Sequence, residues 1–334
     1  MKDAQHPEVQ FAVNAVRRAA MLGQRVKQGM ALMNLTKRDF SPVTVGDFAI
    51  QAYVAHALSK ALPTDKLVGE ETADDLCKTE EAEMLRVVVE FVEKAVPGAT
   101  AEQVCAWIDQ GSAEATGRFW TLDPIDGTKG YVRGGQYAVA LALVEDGQVQ
   151  LGVLGCPNLD PSCSPEILAD GALLVAKRGA GTWVTPMQES EAPWQPLEVS
   201  PCADTTQARM LRSFEASHTD AGAVDAIAAK LGIAVEPVRM DSQAKYAVLA
   251  SGGAELLLRL LSPKQPDYKE KIWDQAAGSI ILEEAGGKIT DLKGRPLDFS
   301  TGRQLVHNTG VFASNGTLHA AGLEAIAAVC DLPG

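Results

Sequence analysis

Apolar residues recur at helical spacing through "VQFAVNAVRRAAMLGQRVKQGM", where Val9, Ala12, Val13, Val16, Ala19, Ala20 and Val26 share one face. "SPVTVGDFAIQAYVAHALSKAL" predicts a second helix whose stripe is Ile50, Val54, Ala57, Leu58 and Ala61. A short strand, Leu67 and Val68, then runs into Gly69 and the pair Glu70–Glu71, and a helix is expected around residues 80–95. "RFWTL" reads as a strand feeding into Asp123, and "QYAVALALVEDGQVQLGVLGCP" as a hairpin turning at Asp146-Gly147. "ALLVAKRGAGTWV" adds a strand pair. Residues 185–200, rich in proline and glutamate, read as a connection between domains. Beyond them strands and helices alternate. "DAGAVDAIAAKLG" is a helix, "DSQAKYAVLASGG" a helix capped by Asp241 or Ser242, "AELLLRLL" a strand and "WDQAAGSIILEEAGG" a helix. "KITDL", "GVFAS" and a last helix close the pattern.

The 334 residues, 46% hydrophobic and 22% charged, are enough for two cores, and we expect domains at 1–197 and 198–334. No apolar run reaches the roughly 18 residues of a membrane span, so no membrane partner is expected. "MKDAQHPEVQ" has neither a signal peptide's apolar stretch nor a transit peptide's Arg/Ser bias. A cytoplasmic location is expected, or an organellar one if a leader has been removed. A net charge of −13 argues against general nucleic-acid binding, which needs a positive surface to release counterions. Six cysteines (Cys77, Cys105, Cys156, Cys163, Cys202 and Cys330) without C-x-x-C spacing are expected to be free thiols.

"LDPIDGTKG", residues 122–130, places Asp123 and Asp126 so close that their charges repel unless a cation intervenes. Glu70 also sits at the end of a predicted strand, and Asp274 opens a predicted helix. Hard cations such as Mg2+ take oxygen ligands, and the Ile125 carbonyl lies between the two aspartates to supply another. Gly127 lets the backbone approach an anion, and a helix starting near Thr128 would offer free N–H groups to a phosphate. The alternative is a surface turn, since each residue of D-P-x-D-G favours one. Asp47 extends the stripe of the second helix backward by three positions. It reads either as a buried carboxylate bonded to a hydroxyl or as a first-turn acid favoured by the helix dipole.

Taken together, "VGEE", "WTLDPIDGTKG" and "WDQAAGSIILEEAGG", in that order and spacing, resemble the metal-dependent, lithium-sensitive phosphatases of the inositol monophosphatase and fructose bisphosphatase superfamily. Inositol monophosphatases carry D-P-[IL]-D-G-T-T-N-F, and here Lys129-Gly130 replaces Thr-Asn. With "SPVTVGD", "KGYVRGGQYAVALAL", "DSQAKY" and "EKIWD", the chain is similar to the 3′(2′),5′-bisphosphate nucleotidase branch, from about Val9 to Ser314.

The resemblance implies an α+β N-terminal domain and an α/β C-terminal domain in a layered α/β/α/β/α sugar-phosphatase fold, with the site between them. It implies a monomer that hydrolyses 3′-phosphoadenosine 5′-phosphate to AMP and phosphate, and also acts on 3′-phosphoadenylyl sulfate, in sulfur metabolism. An inositol (poly)phosphate 1-phosphatase on the same scaffold is the alternative. Two to three Mg2+ ions, with inhibition by Li+, are implied. Glu70, Asp123 and the Ile125 carbonyl match the first metal's ligands, and Asp123, Asp126 and Asp274 the second's. Asp47 and Thr128 match the pair that activates the attacking water. Gly127, Thr128, His218, Ser242, Lys245 and Arg259 match substrate-binding positions. By their residue types alone, His218 could equally be structural, Ser242 a helix cap, and Arg259, in a leucine-rich strand, half of a salt bridge. "LLSPKQPDYKEKIWD" is slightly longer than the family's link, which leaves Tyr268 and Lys271 outside the expected site.

Overall fold

Two sheets carry the chain, and the alternation of apolar residues along each strand decides what packs on their faces. The protein is described here by a computed structural model covering residues 5–32, 42–74, 76, 82–165, 170–214 and 220–331. The first part contains helices α1 (Pro7–Leu32), α2 (Pro42–Ala61), α3 (Ala82–Glu93), α4 (Ala101–Asp109) and α5 (Thr128–Arg133). Its strands are β1 (Lys66–Gly69), β2 (Arg118–Asp126), β3 (Ala138–Glu145), β4 (Gln148–Cys156), β5 (Ala172–Lys177), β6 (Thr182–Pro186) and β7 (Gln195–Leu197). These seven strands form one sheet in chain order. All neighbours are antiparallel except β1 and β2, which run parallel with Gly69 beside Leu122.

The second part contains β8 (Met210–Arg212), α6 (Ala221–Lys230), β9 (Val238–Arg239), α7 (Ala244–Ala250), β10 (Leu256–Arg259), α8 (Ala276–Glu284), β11 (Lys288–Thr290), β12 (Val311–Ser314) and α9 (His319–Val329). Its sheet has the order β11-β12-β10-β8-β9.

On β3, Val139, Leu141 and Leu143 point to one side, into the core shared with α1 and α2. Ala138, Ala140, Ala142 and Val144 point to the other, into the core shared with α7 and α8. Period-two alternation thus covers both faces of the sheet. A third core, with Met210, Leu256, Leu258 and Phe312, lies beneath α6 and α9. The layers run α1/α2, first sheet, α7/α8, second sheet, α6/α9, which is the α/β/α/β/α order implied by the resemblance.

Most predicted elements form, with four differences. Residues 185–200 are not a free connection: β7 pairs with β6 and extends the sheet. The helix at "DSQAKY" begins at Ala244 with Gln243 in the N-cap position and no side-chain cap there; Ser242 instead receives the Ala244 N–H at 3.1 Å. Ala61 is exposed at the end of α2, while most of the helix is buried on every side by α1, α3, α4 and β2, so no single stripe describes it. Cys105 is disulfide-bonded, against the expectation of free thiols, because sequence scatter does not tell which thiols the fold brings together. Cys156, Cys163, Cys202 and Cys330 are free, and Cys77 lies outside the described residues.

Candidate active site

The parallel pairing of β1 with β2 is the first step in building the site. It sends both strands out of the same end of the sheet, and the Glu70 N–H donates to the Leu122 carbonyl at 3.3 Å. Glu70 therefore emerges beside Asp123. The second step is a bulge. Asp123 stands opposite Ala140 and Asp126 opposite Ala138, three residues of β2 against two of β3. In a regular strand residues three apart face opposite sides; one extra residue restores the same side. Asp123 and Asp126 thus both face the layer of α7 and α8.

The turn that follows needs Gly127. Its φ is +86°, and a Cβ there would lie 2.7 Å from the Ser242 Cβ. Backbone meets backbone at this point, between the start of α5 and the approach to α7. Ser242 itself adopts φ 68°.

A cavity of about 710 Å³ opens over these residues. It is lined by Glu70, Asp123, Ile125, Asp126, Gly127, Thr128, Ser242, Lys245, Arg259 and Asp274. Asp47, buried in α2, is not part of the lining, and His218 lies outside the described residues. No hydrogen bond joins Asp47 to Thr128: the Thr128 hydroxyl donates to the Ile125 carbonyl at 3.5 Å, and Asp47 Oδ1 has no partner.

The carboxylates are in an unfavourable state by themselves. Asp123 is 3% exposed and its Oδ1 has no hydrogen-bond partner. Burial first, then Glu70, Asp126, Asp274 and Asp47, push its pKa well above the ordinary value. Burial, Glu71 and Glu70 do the same to Asp47. Glu70 keeps one edge open to solvent, yet the protein around its carboxyl, then Glu71 and Asp126, hold it up at about 7. Asp274 is raised by burial although Arg259 opposes the shift. Asp126 is raised by burial, with relief from the Gln243 N–H, which donates to Oδ2 at 2.6 Å, and from Lys245 and Arg259. Buried acids of this kind require a compensating charge. The donor set is all oxygen, which suits a hard divalent cation. Among the described residues no three of the acids close into a ready-made cage. The orphaned oxygens of Asp47 and Asp123 are nevertheless what such an ion would satisfy.

Lys245 and Arg259 bring positive charge to the same cavity. Lys245 is pushed down to about 8 by burial and by Arg259, and its Nζ donates to the Ser213 hydroxyl at 2.8 Å. Arg259 is paired as its position demands: Nε donates to Glu270 at 2.7 Å, with Asp274 at 3.8 Å. Glu270 also accepts from Gln275 at 3.0 Å, and Gln275 accepts from the Tyr246 hydroxyl at 2.6 Å. Arg259 is therefore both a salt-bridge partner and a cavity wall.

Sequence reasoning missed several of these neighbours. Glu270 is the first letter of "EKIWD", and its spacing from Asp274 was the available signal. Tyr268, left out of the expected site, lines the cavity with its ring 6.0 Å from the Arg259 guanidinium. The Gln243 side chain donates to the Trp273 carbonyl at 2.9 Å and accepts from the Gly278 N–H at 2.9 Å, tying the Asp126 turn to the Asp274 segment. No local pattern announces that contact.

A five-layer fold with a cavity lined by buried acids and by cations is the architecture of a phosphate-ester hydrolase. The chain belongs to the inositol monophosphatase family, whose model matches residues 5–329. It is 41% identical to the 3′(2′),5′-bisphosphate nucleotidase of Schizosaccharomyces pombe, over 96% of this chain and 95% of that one. It is 40% identical to the protein of the same name from Emericella nidulans, over 95% and 97%. Among solved structures, an inositol monophosphatase from Anabaena (Nostoc) sp. PCC 7120 superposes with a TM-score of 0.63 at 20% identity, covering 97% of this chain and 96% of that one.

Proposed function

We propose that this chain hydrolyses the 3′-phosphate of 3′-phosphoadenosine 5′-phosphate, giving AMP and phosphate, and that it also accepts 3′-phosphoadenylyl sulfate. The observation that carries the reading is the mixed charge of the cavity lining, buried acids together with cations. Glu70, Asp123, Asp126 and Asp274 line the same cavity of about 710 Å³ as Lys245 and Arg259. A substrate with two anionic groups uses both kinds of residue: one group is cleaved among the acids while the cations anchor the other. The names of the fungal relatives support the choice of nucleotide. We place the boundary between two domains after residue 197, where β7 ends.

Glu70, Asp123, Asp126, Asp274 and the Ile125 carbonyl would hold Mg2+, which polarises the phosphoryl oxygens and stabilises the leaving 3′-oxygen. Gly127 brings the start of α5 close to the scissile phosphate. The resemblance assigns Thr128 and Asp47 to activation of the attacking water: a Thr128 hydroxyl released from Ile125 would orient it, and Asp47 would take the proton through that hydroxyl. Lys245, Arg259 and Ser242 hold the 5′-phosphate. His218 is assigned to the nucleoside by the resemblance alone.

The test is phosphate release from a panel of 3′-phosphoadenosine 5′-phosphate, 3′-phosphoadenylyl sulfate, 3′-AMP and inositol 1-phosphate, with Mg2+ and with EDTA. We expect the bisphosphate to be cleaved fastest and EDTA to abolish all turnover. Preference for inositol 1-phosphate would overturn the substrate, and undiminished turnover in EDTA the mechanism.

Family members are in general Mg2+-dependent and Li+-sensitive. For this chain LiCl is expected to inhibit steady-state turnover at concentrations where KCl does not, with NaCl between them. Equal responses to all three salts would reduce the effect to ionic strength.

A further inference from the structure

We infer that Arg303 and Gln51 are positioning residues that set Glu70 relative to Asp274 across the cavity; the inference rests on the proposed metal-ligand roles of those two acids. Glu70 and Asp274 come from different sheets' surroundings, so their separation is not fixed by either sheet alone.

Arg303 lies in the loop between β11 and β12 and reaches three places at once. Its guanidinium donates to the Gly69 carbonyl, immediately before Glu70, and to the Gly111 carbonyl at 3.1 Å. It also stacks over the Trp273 ring, 4.8 Å from the centroid and next in sequence to Asp274. The backbone reinforces the contact. The Ile272 N–H donates to the Arg303 carbonyl at 3.2 Å, the Leu305 N–H to the Glu270 carbonyl at 2.9 Å, and Lys271 bridges Gln304. Arg303 forms no ion pair among the described residues, and burial lowers its pKa. A half-buried cation whose hydrogen-bond partners are two carbonyls is committed to geometry, since a simple surface charge would remain in water.

Gln51 holds the same strand end from α2. It is fully buried; its amide donates to the Glu71 carbonyl at 2.6 Å and to the Ile108 carbonyl at 2.9 Å, and accepts from the Glu71 N–H at 3.0 Å. Both peptide groups of Glu71 are thereby engaged. The space is filled so closely that a Cβ at Gly69 or Gly111 would lie 2.3 or 2.4 Å from the Gln51 amide. Gly69 and Gly111 are themselves joined, N–H to carbonyl, at 2.9 Å. Glu70 therefore projects from a strand end gripped on the α2 side by Gln51 and tied by Arg303 to the segment that carries Asp274.

Groups that orient ligands without touching the metal typically contribute about 10–100-fold to its affinity. The experiment compares the full-length wild type with Arg303→Met, Arg303→Lys and Glu70→Gln. Mn2+ binding and AMP binding are measured by calorimetry, and thermal unfolding in EDTA serves as the fold control. We expect Arg303→Met to weaken Mn2+ binding about tenfold or more, with AMP affinity and the EDTA melting temperature nearly unchanged. Arg303→Lys, which can reach one carbonyl but not both, should fall between. Mn2+ affinity in Arg303→Met equal to wild type, or an equal loss for Mn2+ and AMP, would overturn the inference. Should Arg303→Met fail to fold, wild-type Mn2+ affinity in Arg303→Lys overturns it in the same way. Wild type that binds Mn2+ no better than Glu70→Gln removes the metal assignment, and the inference with it.

Discussion

Asp126→Asn is expected to fold, to lose kcat by about a hundredfold or more, and to melt at a higher temperature than wild type in EDTA. The loss follows from removing one unit of charge from a cation's surroundings. At about 4 Å and an effective dielectric of about 20 such a charge interacts by about 4 kcal/mol, and a hundredfold needs only about 2.7. The gain in stability follows from the same chemistry read the other way. Asp126 repels Glu70 and Asp123 and helps to raise both. Acids that bind protons more tightly folded than unfolded destabilise the fold as pH rises between the two pKa values. For Glu70 that window runs from 4.5 to about 7. Metal-free wild type should therefore lose stability across this range, and Mg2+ should restore it. Asp126→Asn should respond less to both pH and Mg2+. Differential scanning at pH 5 and 7.5, with and without Mg2+, together with steady-state rates, checks each part. Near-normal turnover in a folded Asp126→Asn would remove Asp126 from the metal ligands.

Lys245→Ala is expected to cost about ten- to more than a hundredfold in kcat/KM on the 3′,5′-bisphosphate and almost nothing on 3′-AMP. A charge-assisted hydrogen bond contributes about 1.5–3 kcal/mol, which sets that range. The selectivity is expected because the 5′-phosphate, which 3′-AMP lacks, is the substrate group assigned to Lys245. Its free-enzyme pKa of about 8 adds a second signature. Above that pH the ammonium loses its proton, so kcat/KM for the bisphosphate should decline through pH 8 in wild type. The decline should be absent with 3′-AMP and in Lys245→Ala. Equal losses on both substrates would assign Lys245 to the fold, leaving the 5′-phosphate pocket without its main cation.

How far the sequence alone reaches differs from one feature to the next. The acids at strand ends were legible because an apolar run that stops at a carboxylate marks the edge of a core. The hairpin at Asp146-Gly147 was legible because both residues take positive φ, 48° and 78°. Helix α4 was missed although its capping box, Thr100 with Gln103, is written in "TAEQ". The bulge between Asp123 and Asp126 was not legible: register belongs to β3 as much as to β2. The parallel pairing of β1 and β2 was equally hidden, since it depends on what α3 and α4 pack against. The contacts of Gln243, Glu270 and Arg303 join residues that only the tertiary fold makes neighbours. The resemblance pairs Asp47 with Thr128 in activating the attacking water, and here the Thr128 hydroxyl donates to the Ile125 carbonyl.

The parallel pairing also has a consequence during synthesis. Glu70, Asp123 and Asp126 are complete well before Asp274, which lies roughly 150 residues later, an interval of about 7–30 s at ribosomal speeds. Over that time the first sheet offers its acids with no α8, no Lys245 and no Arg259 opposite them, and Gly127 has no Ser242 to lean on. A growing chain therefore carries an acidic edge but nothing that can grip a second phosphate. By the proposed chemistry, selective hydrolysis begins only once the late segments have been made and have docked.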